Sequence, residues 1–215
     1  MALEASHIRF ALDIKDKLEV KDIKKYVSGV IYPDSRYVTK IDRHLTHPLE
    51  LLESDFLQLD DFRKGCYAHI LYDKIWSGYT LKTLYEFFLD AEDSQIQGNE
   101  LWIRLTTLKI LQDIEDAKSY DIERYLPYLD YVENINGEDS NALLKYNKYF
   151  QEMYSEPQKL SIENYSKMWN FLGLKVNIGA KLKSQVDIYK NNLEIKKFIN
   201  IAYIQTLAVA VELNK

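Results

Sequence analysis

Gly65-Cys66-Tyr67-Ala68-His69-Ile70-Leu71-Tyr72-Asp73 is the stretch that decides how this chain is read. It follows the acidic pair Asp60-Asp61, which suits a first helical turn, and it runs toward Ser77-Gly78, where a helix is expected to end. At 3.6 residues per turn, His69 and Asp73 lie one above the other on the same face. Imidazole and carboxylate one turn apart are a metal-ligand pattern. Taken alone they are equally a helix-surface pair worth about 0.2–0.5 kcal/mol, so the rest of the chain has to decide. Gly65 costs about 1 kcal/mol in a helix relative to Ala, and its use there is to let a neighbouring backbone or a bound ligand come close.

The other histidines are His7, His44 and His47, so all four stand in the first third of the chain. His7 falls in the first turn of an amphipathic helix expected over residues 5–18, with Ser6 as N-cap and Ile8, Ala11 and Leu12 toward a core. A second helix is expected from Asp22 to Ile31. Pro33 should end it by driving Tyr32 into an extended conformation, which leaves Asp34 on a loop and free to aim inward. Pro48 marks another boundary after Asp42-Arg43-His44-Leu45-Thr46-His47, where His44 and His47 share a face if the segment is helical.

In this order the elements resemble the zinc-dependent phospholipase C family and its bacterial relatives. Those all-helical hydrolases carry an early His, a Pro-Asp after a Gly-containing helix, a Thr/Ser-His and then Gly-x-x-x-His-x-x-x-Asp. The counterparts here are Ser6-His7, Gly29 with Pro33-Asp34, Thr46-His47 and Gly65 to Asp73, all within about the first 80 residues. The resemblance implies a multi-helix bundle of that type, with one metal held by Asp34, His47, His69 and Asp73 and a second facing His7 and sharing Asp73. It also implies a divalent ion, zinc first and manganese or iron as alternatives. The family's further metal uses two later histidines and a glutamate, and no histidine follows His69.

A metal-dependent hydrolase acting on a small phosphoester through a metal-activated water is the function this implies, with His44 to relay a proton and Arg43 to hold a phosphate oxygen. The alternative is a non-catalytic helical protein with a structural metal or none, acting as a binding module. A competing all-helical family, the HD phosphohydrolases, uses an adjacent His-Asp pair that this chain lacks. Asp113, Glu115, Asp116 and Asp121 offer a remote carboxylate of the kind that family needs, although acidic residues on a solvated helix face are the simpler reading.

Composition supports helices. With 47% hydrophobic residues, seven Gly and four Pro in 215 residues, the chain can bury one substantial core and has few breakers for a many-stranded sheet. The net charge of -5 provides no general attraction to nucleic acid or to anionic membrane. A single cysteine makes no internal disulfide, no leader is read before His7, and a cytoplasmic location is the default. Cys66 lacks the partners of a nucleophile and reads as a small packing residue.

Residues 1–132 are expected to form the helical metal-site core and 142–215 a C-terminal helical part packed on the same domain, with 133–141 as the clearest loop. Within the first part lie a helix over Thr80–Leu89, a polar connection over Ala91–Gly98 and a long helix from Asn99 to Lys118 with Leu101, Leu105, Leu108 and Leu111 or Gln112 in phase. Two or three further helices follow. The last, Phe198 to Leu213, is too short and interrupted for a membrane span and reads as buried, with Ile201, Ile204, Ala208 and Val211 on one side as a route to a homo-oligomer.

Overall fold

The computed structural model describes residues 3–80, 99–174 and 179–213, and among them the chain is all-helical, with ten α-helices, short 3₁₀ turns and no strand. The expected helix over 80–89 lies, beyond Thr80, outside the described residues, as does the connection 91–98.

The fold is organised by the crossing of α2 (Ile23–Ile31) and α5 (Asp61–Ile75), the most extensive helix pairing among the described residues. Both helices begin on an aspartate cap. The Asp22 carboxylate accepts from the backbone N–H groups of Lys24 and Lys25, and that of Asp60 from Arg63. They meet glycine to glycine. A Cβ on Gly65 would lie 2.1 Å from the Tyr26 carbonyl oxygen and 2.8 Å from the Gly29 carbonyl carbon, and one on Gly29 would lie 2.0 Å from the Phe62 carbonyl oxygen. Every one of those atoms is backbone, so no side chain can move aside.

α1 (Glu4–Ile14) lies against this pair, and the expected capping by Ser6 is corrected here. Leu3 is the N-cap and gives no side-chain bond. Ser6 is instead buried inside the first turn, where its N–H donates to Asp113 Oδ1 (3.0 Å) and its hydroxyl to Asp116 Oδ2 (2.7 Å). A distant helix thus satisfies donors that a first turn leaves open. That helix is α6 (Asn99–Ser119), and its acidic residues do not lie on one solvated face: Asp113 and Asp116 are fully buried, whereas Glu115 is exposed. Asp113 also accepts from Tyr154 (2.7 Å) and Tyr165 (2.6 Å), and Asp116 pairs with Arg9. The inward stripe of α6 is Ile103, Thr107, Ile110 and Asp113; Leu108 joins it, but Leu101, Leu105 and Leu111 are only half-buried.

Pro33 does not end the helical path either. Tyr32 keeps αR angles (φ -54°, ψ -44°), and the chain runs on through a 3₁₀ turn, Tyr32–Ser35, into the single turn α3 (Arg36–Thr39). Proline is tolerated because it stands in the first positions of that turn, where its missing N–H has no partner to lose. The Tyr32 side chain is held as well, its hydroxyl donating to Glu138 and accepting from Asn136 Nδ2. Loop 133–139 is in this way tied to the Asp34 turn.

Four helices follow where two or three were expected: α7 (Ser140–Tyr154), α8 (Ile162–Phe171), α9 (Gly179–Tyr189) and α10 (Leu193–Leu213). One apolar cluster runs through the molecule from Leu3 to Ala210. α10 packs on α1 and α5 through Phe198, Ala202, Tyr203 and Ala210, and the Arg9 guanidinium stacks 3.7 Å from the centre of the Tyr203 ring. The side with Ile201 (51% exposed), Ile204 (64%) and Ala208 faces outward, so α10 is not buried all round. Among the described residues no helix is long and apolar enough to cross a membrane.

Gly65→Ala should cost roughly 3 kcal/mol, a fall in Tm on the order of 10 °C, because the added methyl meets backbone and the helices must part. Gly78→Ala, where a Cβ meets nothing within 4 Å, should stay within about 0.5 kcal/mol of wild type. Thermal unfolding of the two variants checks this.

Candidate metal centre

The α2–α5 crossing brings the five expected ligands together. His69, fully buried one turn after Gly65, reaches across the crossing so that its Nδ1–H donates to the Val30 carbonyl at 2.7 Å. His7, on the facing side of α1, donates from Nδ1 to the Leu3 carbonyl at 3.1 Å. His47 lies just past the short helix α4 (Arg43–Thr46), and its Nδ1 lies 2.9 Å from Thr46 Oγ1, which is also within reach of the Arg43 carbonyl. A carbonyl can only accept, so the His7 and His69 rings carry a proton on Nδ1, while the Thr46 hydroxyl can give its hydrogen to His47 Nδ1 or accept one from it. In the neutral form of the His7 and His69 rings, Nε2 is therefore the lone-pair nitrogen. Fixing the tautomer through the outer nitrogen is what metal-binding histidines need.

Those three nitrogens converge on Asp34 and Asp73, each of which spans two rings. Asp73 Oδ1 lies 3.4 Å from His7 Nε2 and its Oδ2 lies 3.9 Å from His69 Nε2. Asp34 Oδ1 lies 3.6 Å from His47 Nε2 and its Oδ2 lies 4.0 Å from His69 Nε2. Two triads, His7-His69-Asp73 and Asp34-His47-His69, keep one ligand atom per residue within 4.8 Å of one another and could hold a metal. His69 belongs to both and has one nitrogen to give. The His7 and His69 rings stack at 4.0 Å, and the Nε2 atoms of both are buried without a hydrogen-bond partner. A buried nitrogen left that way costs about 1–3 kcal/mol, and a cation among the lone pairs removes the cost.

Electrostatics favour neutral rings at His47 and His69 and an ionised Asp73. Burial lowers His47 to about 4 and His69 well below its ordinary range, the latter helped by the charge of His7. Burial alone would raise Asp73, but a protonated His7, its Nε2 3.4 Å from Oδ1, overrides it and holds the carboxyl well below the usual carboxylate range. Asp34 is raised by burial and then by Asp73.

Two residues of the cluster, His47 and Asp73, line a cavity of about 870 Å³ whose wall also includes Arg43, His44, Lys74, Trp76 and Lys109. A smaller cleft beside it reaches His7, Tyr72 and Gln112. Arg43 and His44 thus stand at the cavity, although His44 and His47 do not share a face. His47 leaves the helix at φ -126° and turns inward, while the His44 side chain is 74% exposed with Nδ1 2.7 Å from Asp42 Oδ1. Trp76 lines the cavity and Tyr72 packs edge-on against His7. Cys66 is buried in a separate apolar cluster with Tyr32, Phe62 and Leu143, and burial pushes its thiol far up, consistent with packing alone.

Two residues at the site had no motif to announce them. Lys109 stands one turn before Asp113 on the inward face of α6, and only that helical phase could have flagged it. Glu4, one turn before His7, is buried with Oε1 accepting from Tyr146 and Oε2 without a partner, and it is raised by burial and then by Asp34. Compared with known proteins, the chain matches no family model, no curated protein and no solved structure.

His69→Ala and Asp73→Asn should each weaken binding of a divalent ion by more than roughly 100-fold, since each removes a donor outright, and Cys66→Ala should leave it near wild type. Metal analysis of purified variants measures this. A pH dependence follows from the buried rings. Their folded pKa values lie below the unfolded value of about 6.5, so the unfolded chain takes up protons first as pH falls. Chelator-treated protein should therefore hold its full stability above about pH 6.5 and lose it toward pH 4, with the raised Asp34 offsetting part of the loss. A Tm series over that window should be flatter for His47→Gln.

Proposed function

We propose that this chain is a metal-dependent hydrolase acting on a phosphoester, of the kind its N-terminal third resembles. The observation that carries the reading is three buried imidazoles with Nδ1 partnered and Nε2 turned toward two carboxylates, beside an open cavity of about 870 Å³ that His47 and Asp73 line. Asp34, His47, His69 and Asp73 would hold one ion. His7 would face a second through the other oxygen of Asp73, in keeping with Oδ1 and Oδ2 lying toward different rings. A mixed nitrogen and oxygen donor set suits zinc, and manganese or iron accept the same donors.

An ion bound there would make a neutral-pH nucleophile of water and take up charge developing on a phosphoryl oxygen. The chain's own groups then have definite tasks. Arg43, on the cavity wall, is placed to hold a phosphate oxygen through its planar fork. His44, with Nδ1 held by Asp42, leaves Nε2 to exchange a proton with the cavity or solvent. Cavity access supports a catalytic site over a structural one, since a structural metal needs no open approach.

Metal analysis of protein purified without added metal, followed by model phosphoesters assayed with Zn²⁺ and Mn²⁺, tests the proposal. The expected result is bound ion and turnover of a small phosphomonoester or phosphodiester in preference to carboxylic esters and peptides. Stoichiometric tightly bound ion with no turnover on any of them would replace the hydrolase with a structural-metal binding module.

A further inference from the structure

We propose that Lys109 is the anion-positioning residue of this cavity, holding the phosphoryl oxygens of a bound molecule against the His/Asp cluster. The inference rests on the reading of the cluster as a metal site for what the anion is brought to. Lys109 comes from α6, yet it lines both the large cavity and the small cleft next to His7 and Asp73. Its ammonium lies 3.9 Å from the centre of the Trp76 ring, which keeps it on the cavity wall and out of bulk water. Among the described residues it forms no ion pair within 4.0 Å.

A cation taken from water needs a counter-charge. Among the described residues the carboxylates whose charge bears on Lys109 are Asp73 and Asp34, and burial lowers its pKa in spite of them. Both are ligand candidates, and with both committed to one divalent ion no other carboxylate among the described residues pairs with the ammonium. Trp76 supplies only the weak attraction of a ring face. An oxyanion between the ion and Lys109 completes the balance, and a lysine serves as a compact point charge for such a group. Arg43 and Lys74 on the same wall add to the positive field, against Asp42 and Glu50.

Binding of inorganic phosphate, followed by isothermal titration calorimetry, tests the proposal in wild type, Lys109→Met, Lys109→Gln and Lys109→Arg. Metal content and Tm are measured for each protein. Lys109→Met keeps the apolar stem against Trp76, and Lys109→Gln stands in if that variant does not fold. The expected result is phosphate binding about tenfold or more weaker without the charge, at unchanged metal content, and recovery to within a few-fold in Lys109→Arg. Wild-type affinity in a folded, metal-bearing Lys109→Met or Lys109→Gln, or no phosphate binding by wild type, would overturn it. Lys109-dependent phosphate binding by a wild-type protein that carries no ion would keep the anion site and discard the metal reading.

Discussion

The contact on which this structure depends is the glycine-to-glycine crossing of α2 and α5. Helices normally pack 8–10 Å apart because side chains stand between them. At Gly29 and Gly65 a single Cβ would already overlap a backbone carbonyl, so the two backbones are in direct contact. The same approach brings the Val30 carbonyl within hydrogen-bond range of His69 Nδ1. A packing constraint and a tautomer are thereby set by one piece of geometry. It also draws Asp34, on the turn that follows α2, up to a ring carried by α5.

Holding α1 in place requires a different interaction. His7 can face His69 only if the first turn of α1 is seated, and that turn is capped from outside by Asp113 and Asp116 of α6. Burying two carboxylates is costly unless each lone pair finds a donor. Here Ser6, Arg9, Tyr154 and Tyr165 supply them from three helices. The network joins the C-terminal helices to the site without contributing a ligand. α6 thus does two jobs, locking α1 through Asp113 and Asp116 and lending Lys109 to the cavity one turn earlier.

Charge explains why these two acidic clusters differ. Around Asp113 and Asp116, hydroxyl, backbone N–H and guanidinium donors surround the oxygens. Around Asp34 and Asp73 stand the Nε2 atoms of three imidazoles, which in the neutral rings of His7 and His69 accept and do not donate. One cluster is complete in its own donors. The other is a set of acceptors arranged about a space, with Lys109 and Arg43 at its edge.

The sequence by itself determined the helical class, through scarce Gly and Pro and through apolar residues in helical phase, and the family resemblance singled out His7, Asp34, His47, His69 and Asp73 as residues to be found together, because each stands in a recognisable local motif. Spacing is a property of one helix or turn, so it is legible without a fold. Where it failed, a distant partner had intervened. Ser6 looked like a cap until Asp113 took its N–H, Pro33 looked like a breaker until a 3₁₀ turn accommodated it, and Asp113 and Asp116 looked solvated until Ser6, Arg9 and two tyrosines met them. The outward side of α10 was misread for the same reason, since which stripe is buried depends on what packs against it. Tertiary structure alone decided that His44 faces out while His47 faces in, and that Lys109 belongs to the site. Those placements rest on contacts between residues far apart in the chain, where desolvation and hydrogen bonding act on the assembled surface and not on the local pattern.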